Sequence, residues 1–521
     1  MGEQLIKHFL NKFKFSMLVD ILGRLLEVSV AYILVDVSGI LVDDLVNNDL
    51  NEVTYYLGKF VLLSVISIIL VPVTDFLVNK VLVNVGMKFD IYVYDLYLKQ
   101  KYEVIDKYSK GDIFNRLYTD AIAYRLDLFT LITAVIGHSI IVIFMLFRLM
   151  NVNFYLTLIL FAVTLIVVLV PAFTNKLTHK YVETDKEKTA TKNNFEKQLI
   201  EHKEYIRINN YQGNLFNKLA IYIKDKLSIY RKFITLDIYK NNVTDLIVFS
   251  TQIVFMLIGS IFIANNEVTT GQFVLFFGGG FILKKSIEAI MWQVEKRLPR
   301  FKAINKRIVE ILEHKEETDL EDTECINDIE FKDINFGYDD NVVLNVFNTK
   351  INKGDIVKIE GENGTGKTTI IKLLLKFYDV NEGNVLINGR DISTINAKSI
   401  RDKISYASQN PVLFNISVND NIKLNTTVNV DGIIDLLDLN DIKDVVVDEA
   451  SKNISGGQRK KISLARELIR EKEIIVIDEL RNYLDVKTYS NILKYLQNCN
   501  KTVILISHGD EELDFNNYIK L

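Results

Sequence analysis

The chain has 521 residues, more than one ordinary domain of about 150 residues would use. Hydrophobic residues make up 49%, and 62 basic residues against 66 acidic ones leave a net charge of −4, which excludes the basic footprint of a nucleic-acid binder. The two cysteines, Cys325 and Cys499, have neither metal-ligand spacing nor a disulfide framework around them and read as ordinary thiols.

Long apolar stretches recur up to about residue 285, and the remainder has the mixed charge of a soluble α/β domain. The basic start MGEQLIKHFLNKFKF precedes an apolar stretch, 16–42, that is too long and too broken by charge for a signal-peptide core, so it is expected to stay in the mature protein. Further apolar segments follow at 56–73, 128–150, 154–173, 246–264 and from 273 onward. A span needs about 20 predominantly apolar residues, a length these segments reach or approach. The last turns polar at Lys284 and Lys285, whose charges must face the protein interior or an aqueous cavity.

Loop charge predicts the orientation. The amino end is basic, whereas the connection containing DDLVNNDLNE is acidic, which places the amino end inside. The basic stretch 176–240 is then inside as well, the short loops near Asn151 and Asn265 are outside, and six spans return the soluble part to the cytoplasm. The two long inside connections are periodic and charged, which predicts helices projecting from the membrane in place of disordered linkers.

Asp20, Arg24 and Glu27 in the first span share one helical face. An intramembrane charge costs at least about 2.5–3.5 kcal/mol unless paired or hydrated. Neutralisation of Arg24 by its two acidic neighbours and a polar substrate cavity both account for the cluster. Asp75, His138, Asp245, Lys284, Lys285 and Glu288 add to a polar interior.

The soluble part carries the chemistry. VKIEG reads as a strand and TTIIKLLLKFY as a helix, and between them GENGTGKTT fits the phosphate-binding pattern G-x-x-x-x-G-K-[ST]. The helix start directs free amides and the positive dipole end toward bound phosphate. Gly361, Glu362, Asn363, Gly364, Thr365, Gly366, Lys367, Thr368 and Thr369 are therefore the expected nucleotide contacts, with Lys367 on the β- and γ-phosphates and Thr368 on Mg²⁺. A second glycine-rich loop, ISGGQ, precedes RKKISLARELIR and lies upstream of the apolar strand IIVID, which closes on Asp478 and is followed by Glu479.

The paired loops resemble those of ATP-binding cassette (ABC) proteins. GDIFNRLYTD, with Gly111, Asp112, Arg116 and Asp120, and the stretch from Gly271 to Phe273 are similar to the corresponding parts of ABC exporters. The resemblance implies an all-α six-helix transmembrane domain with long cytoplasmic extensions over 1–315, followed by an α/β P-loop ATPase domain over 316–521. It implies ATP and Mg²⁺ as cofactors. By the same resemblance Asp478 and Gln409 would hold the metal with Thr368, Glu479 would polarise the attacking water, His508 would contact the γ-phosphate, and Tyr338 would stack on adenine. Ser455, Gly456, Gly457 and Gln458 would bind ATP held by another copy. One chain holds one P-loop and one signature loop, so a homodimer is expected.

Some positions depart from the family pattern. Ile454 stands where leucine is usual, VVVDEASKN keeps Glu449 but lacks neighbouring glycines, and RNYLD at 481–485 replaces a small-residue version. The region between Gln409 and Ser455 looks abbreviated, and the chain stops at NNYIKL, where typical members continue with a further hairpin and helix. The expectation is a compact, divergent exporter in a bacterial cell membrane, among lipid, moving a peptide, lipid-like or drug-like solute. An importer of the same fused architecture and an ATP-gated regulatory membrane protein stay open.

Overall fold

A computed structural model describes the chain except residues 1, 317–319, 339–340, 425, 450, 482–483 and 508–512, and except the side chains at 81, 84–85, 167–180, 182–183, 186, 190, 240 and 244. His508, Asn482 and Tyr483 therefore lie outside the described residues. The chain divides into two units. One comprises the residues up to Asp95 with Gly111–Glu310, and the other joins Leu96–Lys110 to Ile311–Leu521.

The first unit is helical, as the apolar stretches predict. Its long helices begin with α1 (Gly2–Val46) and α2 (Leu50–Leu98); past the short α3 (Tyr102–Asp106), which belongs to the second unit, α4 (Lys110–Phe114) is followed by α5 (Ala121–Val152) and α6 (Phe154–Glu201). Short α7 (Lys203–Ile208) leads to α8 (Gln212–Ala264), α9 (Thr270–Trp292) and α10 (Leu298–Leu312). Among the described residues, Gly2–Val46, Leu50–Lys80, Lys110–Val152 and Gln212–Ala264 are long and apolar enough to cross a membrane, and Phe154–Ile166 is a shorter apolar helix. Tyr32, Met145, Leu156, Phe255 and Phe276 bring α1, α5, α6, α8 and α9 onto one apolar core.

Two local devices hold α9 against α1. Asp43 receives the Gly271 N–H at 2.6 Å and the Thr269 hydroxyl at 2.6 Å, so the end of α1 satisfies free groups at the start of α9. Thr269 and Gln272 form a capping box on the same helix. Here the backbones nearly touch: a Cβ on Gly39 would lie 2.6 Å from the Gly271 carbonyl oxygen. We expect Gly39→Val to lower the stability of this packing by about 1–3 kcal/mol. Thermal unfolding in detergent checks it against Gly58→Val, where an added Cβ meets nothing within 4 Å. Equal midpoints for the two variants would refute the close approach.

Of the charges in the first predicted span, Arg24 Nε donates to Asp20 at 2.8 Å, so neutralisation accounts for that pair. In α9, Lys284 pairs with Glu288 at 3.8 Å. GDIFNRLYTD runs from α4 into a wider-turned π segment, Asn115–Asp120. Its Arg116 is buried and donates to Asp112 (2.8 Å), Glu310 (2.9 Å) and the Arg307 carbonyl (2.6 Å), while Arg307 reaches Asp112 and Asp120. That segment is thus pinned to α10 by charge-assisted hydrogen bonds, roughly twice as strong as neutral ones.

The second unit is α/β. An antiparallel sheet has the order β2 (Asn341–Asn352), β1 (Asp328–Tyr338), β4 (Glu382–Ile387), β5 (Arg390–Asp391). A parallel sheet has the order β6 (Ile404–Ala407), β7 (Ile474–Asp478), β8 (Thr502–Ile506), β3 (Ile356–Glu360), β9 (Asn517–Lys520). IIVID and TVILI are buried along their whole length, as strands covered on both faces require. The helices are α11 (Lys367–Leu374), α12 (Ala397–Arg401), α13 (Val418–Lys423), α14 (Asp431–Leu436), α15 (Gly456–Leu468) and α16 (Val486–Asn498). Apolar side chains pack in two clusters, one around Phe331, Ile371 and Val476, the other around Ile462, Ile477 and Leu505.

The connection after α2 belongs to this second unit. Lys101 donates its N–H to the His314 carbonyl at 2.9 Å and Glu316 to that of Lys99 at 2.9 Å. Tyr102 stacks on Phe377 with ring centres 4.6 Å apart.

Candidate active site

β3, paired between β8 and the edge strand β9 of the parallel sheet, releases the chain at Glu360 into GENGTGKTT, and α11 begins at Lys367. Gly364 (φ 88) and Gly366 (φ 98) take left-handed backbone that a side chain would strain. At Gly366 a Cβ would also meet Val343 at 2.7 Å, so both backbone and space demand glycine. The loop curls round the Lys367 ammonium, which donates to the carbonyl oxygens of Gly361 (2.7 Å) and Glu362 (2.8 Å). Thr365 closes the curl by donating its hydroxyl to the Glu362 carbonyl at 3.0 Å.

β7 brings Asp478 beside the start of α11, where the Thr368 hydroxyl donates to its carboxylate at 3.2 Å and the Tyr406 hydroxyl does so at 3.3 Å. Burial raises the Asp478 carboxyl above its ordinary range; the Thr368 hydrogen bond opposes this and the neighbouring Glu479 reinforces it. Glu479 follows in left-handed backbone (φ 53) and gives its N–H to the Ile506 carbonyl at 2.9 Å. Left-handed backbone is uncommon for a residue with a side chain, and such outliers gather at functional sites.

These elements enclose a cavity of about 480 Å³. Of the residues expected from sequence, Tyr338, Asn363, Gly364, Gly366, Lys367, Thr368, Thr369, Gln409, Asp478 and Glu479 line it. Gly361, Glu362 and Thr365 instead shape the loop behind it. Tyr338 is anchored by its hydroxyl, 3.3 Å from that of Thr369. Ser455, Gly456, Gly457 and Gln458 are not among the described residues lining the cavity. They start α15, where Ser455 accepts the Gln458 N–H at 3.2 Å and Gln458 accepts the Ser455 N–H at 2.9 Å, a capping box.

Lys460 was not singled out by sequence reasoning, because RKKISLARELIR reads as a helix whose basic residues face water. It is 2% exposed, and its ammonium donates to the carbonyl oxygens of Asp478 (2.6 Å) and Ser408 (3.3 Å). It thereby fastens the helix after ISGGQ to the end of β7 and to the loop holding Gln409. Burial lowers its pKa, against the pull of Asp478 and Glu479. Arg466 acts likewise, donating to the Val412 and Asn421 carbonyls at 2.8 Å each.

Two family models match the chain. One, described as the ABC transporter transmembrane region, covers residues 13–279, and one described as ABC transporter covers residues 344–482. An export ATP-binding/permease protein, so named, from Rickettsia prowazekii is 26% identical over 539 aligned residues, spanning 96% of this chain and 91% of its own length. The ATP-dependent lipid A-core flippase of Desulfotalea psychrophila is 24% identical over 419 residues, 76% of this chain and 73% of its own. The alpha-hemolysin translocation ATP-binding protein of Escherichia coli O157:H7 is 36% identical over 200 residues, 36% of this chain and 28% of its own. With a matched membrane region and a phosphate-loop cavity in one polypeptide, the chain belongs to the ABC transporter family as an exporter-type half-transporter that binds ATP and couples its hydrolysis to transport.

Proposed function

We propose that two copies of this chain form a homodimer that exports a solute from a bacterial cytoplasm by alternating access, using Mg-ATP. The observation that carries the reading is the separation of the two glycine-rich loops: the phosphate loop lines the cavity, while Ser455–Gln458 of the same chain begins α15 outside that lining. A second copy supplies the missing wall, and a C2 pair completes both cavities at once. Exposed Tyr205 and Ile208 on α7, and exposed Phe414 and Val446 near Glu449, are apolar surface that such a partner would cover.

Residues 1–315 form the membrane domain and 316–521 the ATPase domain, with six spans and both the amino end and the ATPase domain cytoplasmic. Lys367 and the loop amides hold the phosphates, and Tyr338 stacks on the adenine. The donor set fits Mg²⁺: the Thr368 hydroxyl and the Asp478 carboxylate offer two hard oxygens at one wall, with Gln409 on the same cavity. The metal, when bound, supplies positive charge that offsets the phosphates. Glu479 accepts a proton from the attacking water, and Ser455, Gly456, Gly457 and Gln458 of the partner close over the phosphates. His508 completes the set in sequence order.

The relatives' names point to peptide-like or lipid-like cargo. Direction is tested in membrane vesicles with the ATPase domain facing out, where ATP should drive labelled solute into the lumen. ATP-driven movement out of the lumen would favour the importer. Cargo class follows from which of a lipid A-like glycolipid or an unfolded peptide stimulates ATP hydrolysis in reconstituted protein.

A further inference from the structure

Tyr338 has a second face. Besides the phosphate-loop cavity it lines a groove of about 330 Å³, shared with Asp106, Phe336, Tyr378 and Asn381. Its ring is met edge-on by Phe336 (5.1 Å, 87°) and by Tyr378 (5.3 Å, 89°), the favoured arrangement for aromatic quadrupoles. The Lys372 ammonium lies 5.4 Å from the ring centres of both tyrosines. With its hydroxyl against Thr369, Tyr338 is held both at its tip and by the side chains packed on its ring.

Tyr378 is itself 8% exposed, and its hydroxyl donates to the Asp106 carboxylate at the end of α3. Burial, reinforced by Asp106, pushes the phenol far above its ordinary pKa, so it remains a donor. Tyr102, on the same short helix, sets its ring edge-on to Tyr378 at 5.8 Å while stacking on Phe377. If α3 withdraws, Tyr378 loses a charged acceptor for a buried hydroxyl, a costly vacancy that favours a different rotamer.

We propose that Tyr378 is a positioning residue for Tyr338 and that Asp106 ties both to the Leu96–Lys110 connection, so the grip on the adenine ring depends on how that connection is seated. This rests on Tyr338 being the adenine contact. By reciprocity, ATP must tighten the Asp106 contact by the factor with which that contact tightens ATP.

The test uses full-length protein in lipid nanodiscs, measuring KM for ATP, kcat and thermal midpoint. Tyr338→Ala should raise KM about tenfold with kcat within about twofold, as loss of a stacking contact does. Tyr378→Phe, which keeps the ring and removes the hydroxyl, and Asp106→Ala should each raise KM about three- to tenfold with kcat within about twofold; the midpoint should hold in Tyr378→Phe and fall in Asp106→Ala, which leaves the buried hydroxyl without its acceptor. The double variant of Tyr378 and Asp106 should match the singles in KM, and Tyr378→Phe should add nothing in the Tyr338→Ala background. An unchanged KM in Tyr378→Phe, or its full shift persisting on top of Tyr338→Ala, overturns the proposal while leaving Tyr338 as the adenine contact. An unchanged KM in Tyr338→Ala removes that contact, and the proposal with it.

Discussion

Glu479→Gln is expected to lower steady-state ATP hydrolysis by about 10²–10⁴-fold, the usual contribution of a positioned general base, while ATP stays bound. The substitution keeps the shape of the side chain and removes its basicity. The backbone around it is independently fixed: the Glu479 N–H is committed to Ile506, and the preceding carbonyl, that of Asp478, accepts the buried Lys460 ammonium. The hydrogen bond between Thr368 and Asp478 is untouched. With the nucleotide retained and not consumed, the closed form of the proposed dimer is expected to accumulate, because a ligand shifts an equilibrium toward the state it binds best. Retention of labelled ATP, single-turnover hydrolysis and cross-linking between copies measure the three effects. Turnover within about threefold of the parent protein would remove Glu479 as the base, since a base contributes at least about 10²-fold.

Lys367→Met is expected to weaken ATP binding by about 10²-fold or more, from the loss of charge-assisted hydrogen bonds worth about 1.5–3 kcal/mol each. The ammonium sits 2.7 and 2.8 Å from two loop carbonyl oxygens, which would lose their cationic donor. Methionine has similar length and no charge, so the apolar stem still fits beside α11. Equilibrium binding of a fluorescent ATP analogue to the full chain reads the effect, and an unchanged thermal midpoint separates it from misfolding. Undiminished affinity with lost turnover would show that Lys367 acts only on the reaction and not on binding.

The two variants probe features that are legible in the sequence for different reasons. The phosphate loop could be read because its requirements are local: left-handed glycines, a lysine and a helix start occupy nine consecutive residues. The Asp478–Glu479 pair was legible because an apolar run long enough for one buried strand ends there. Lys460 was not, because periodicity marks it as one more basic residue on a helix surface; only the arrival of β7 and of the Gln409 loop beside α15 buries it. Arg116 was noticed only through resemblance, and its physical role waits on α10, almost two hundred residues later.

Adjacent residues specify helices apolar enough for a membrane, the α/β character of the last third, and the ATP-binding loop. Which distant groups meet depends on how the chain packs. Packing set Asp106 against Tyr378, gathered Leu96–Lys110 with the ATPase residues, and left Ser455–Gln458 outside the cavity. Hydrophobic patterning and turn chemistry act over a few residues, whereas a buried hydroxyl or ammonium takes whichever acceptor the packed chain brings within about 3 Å.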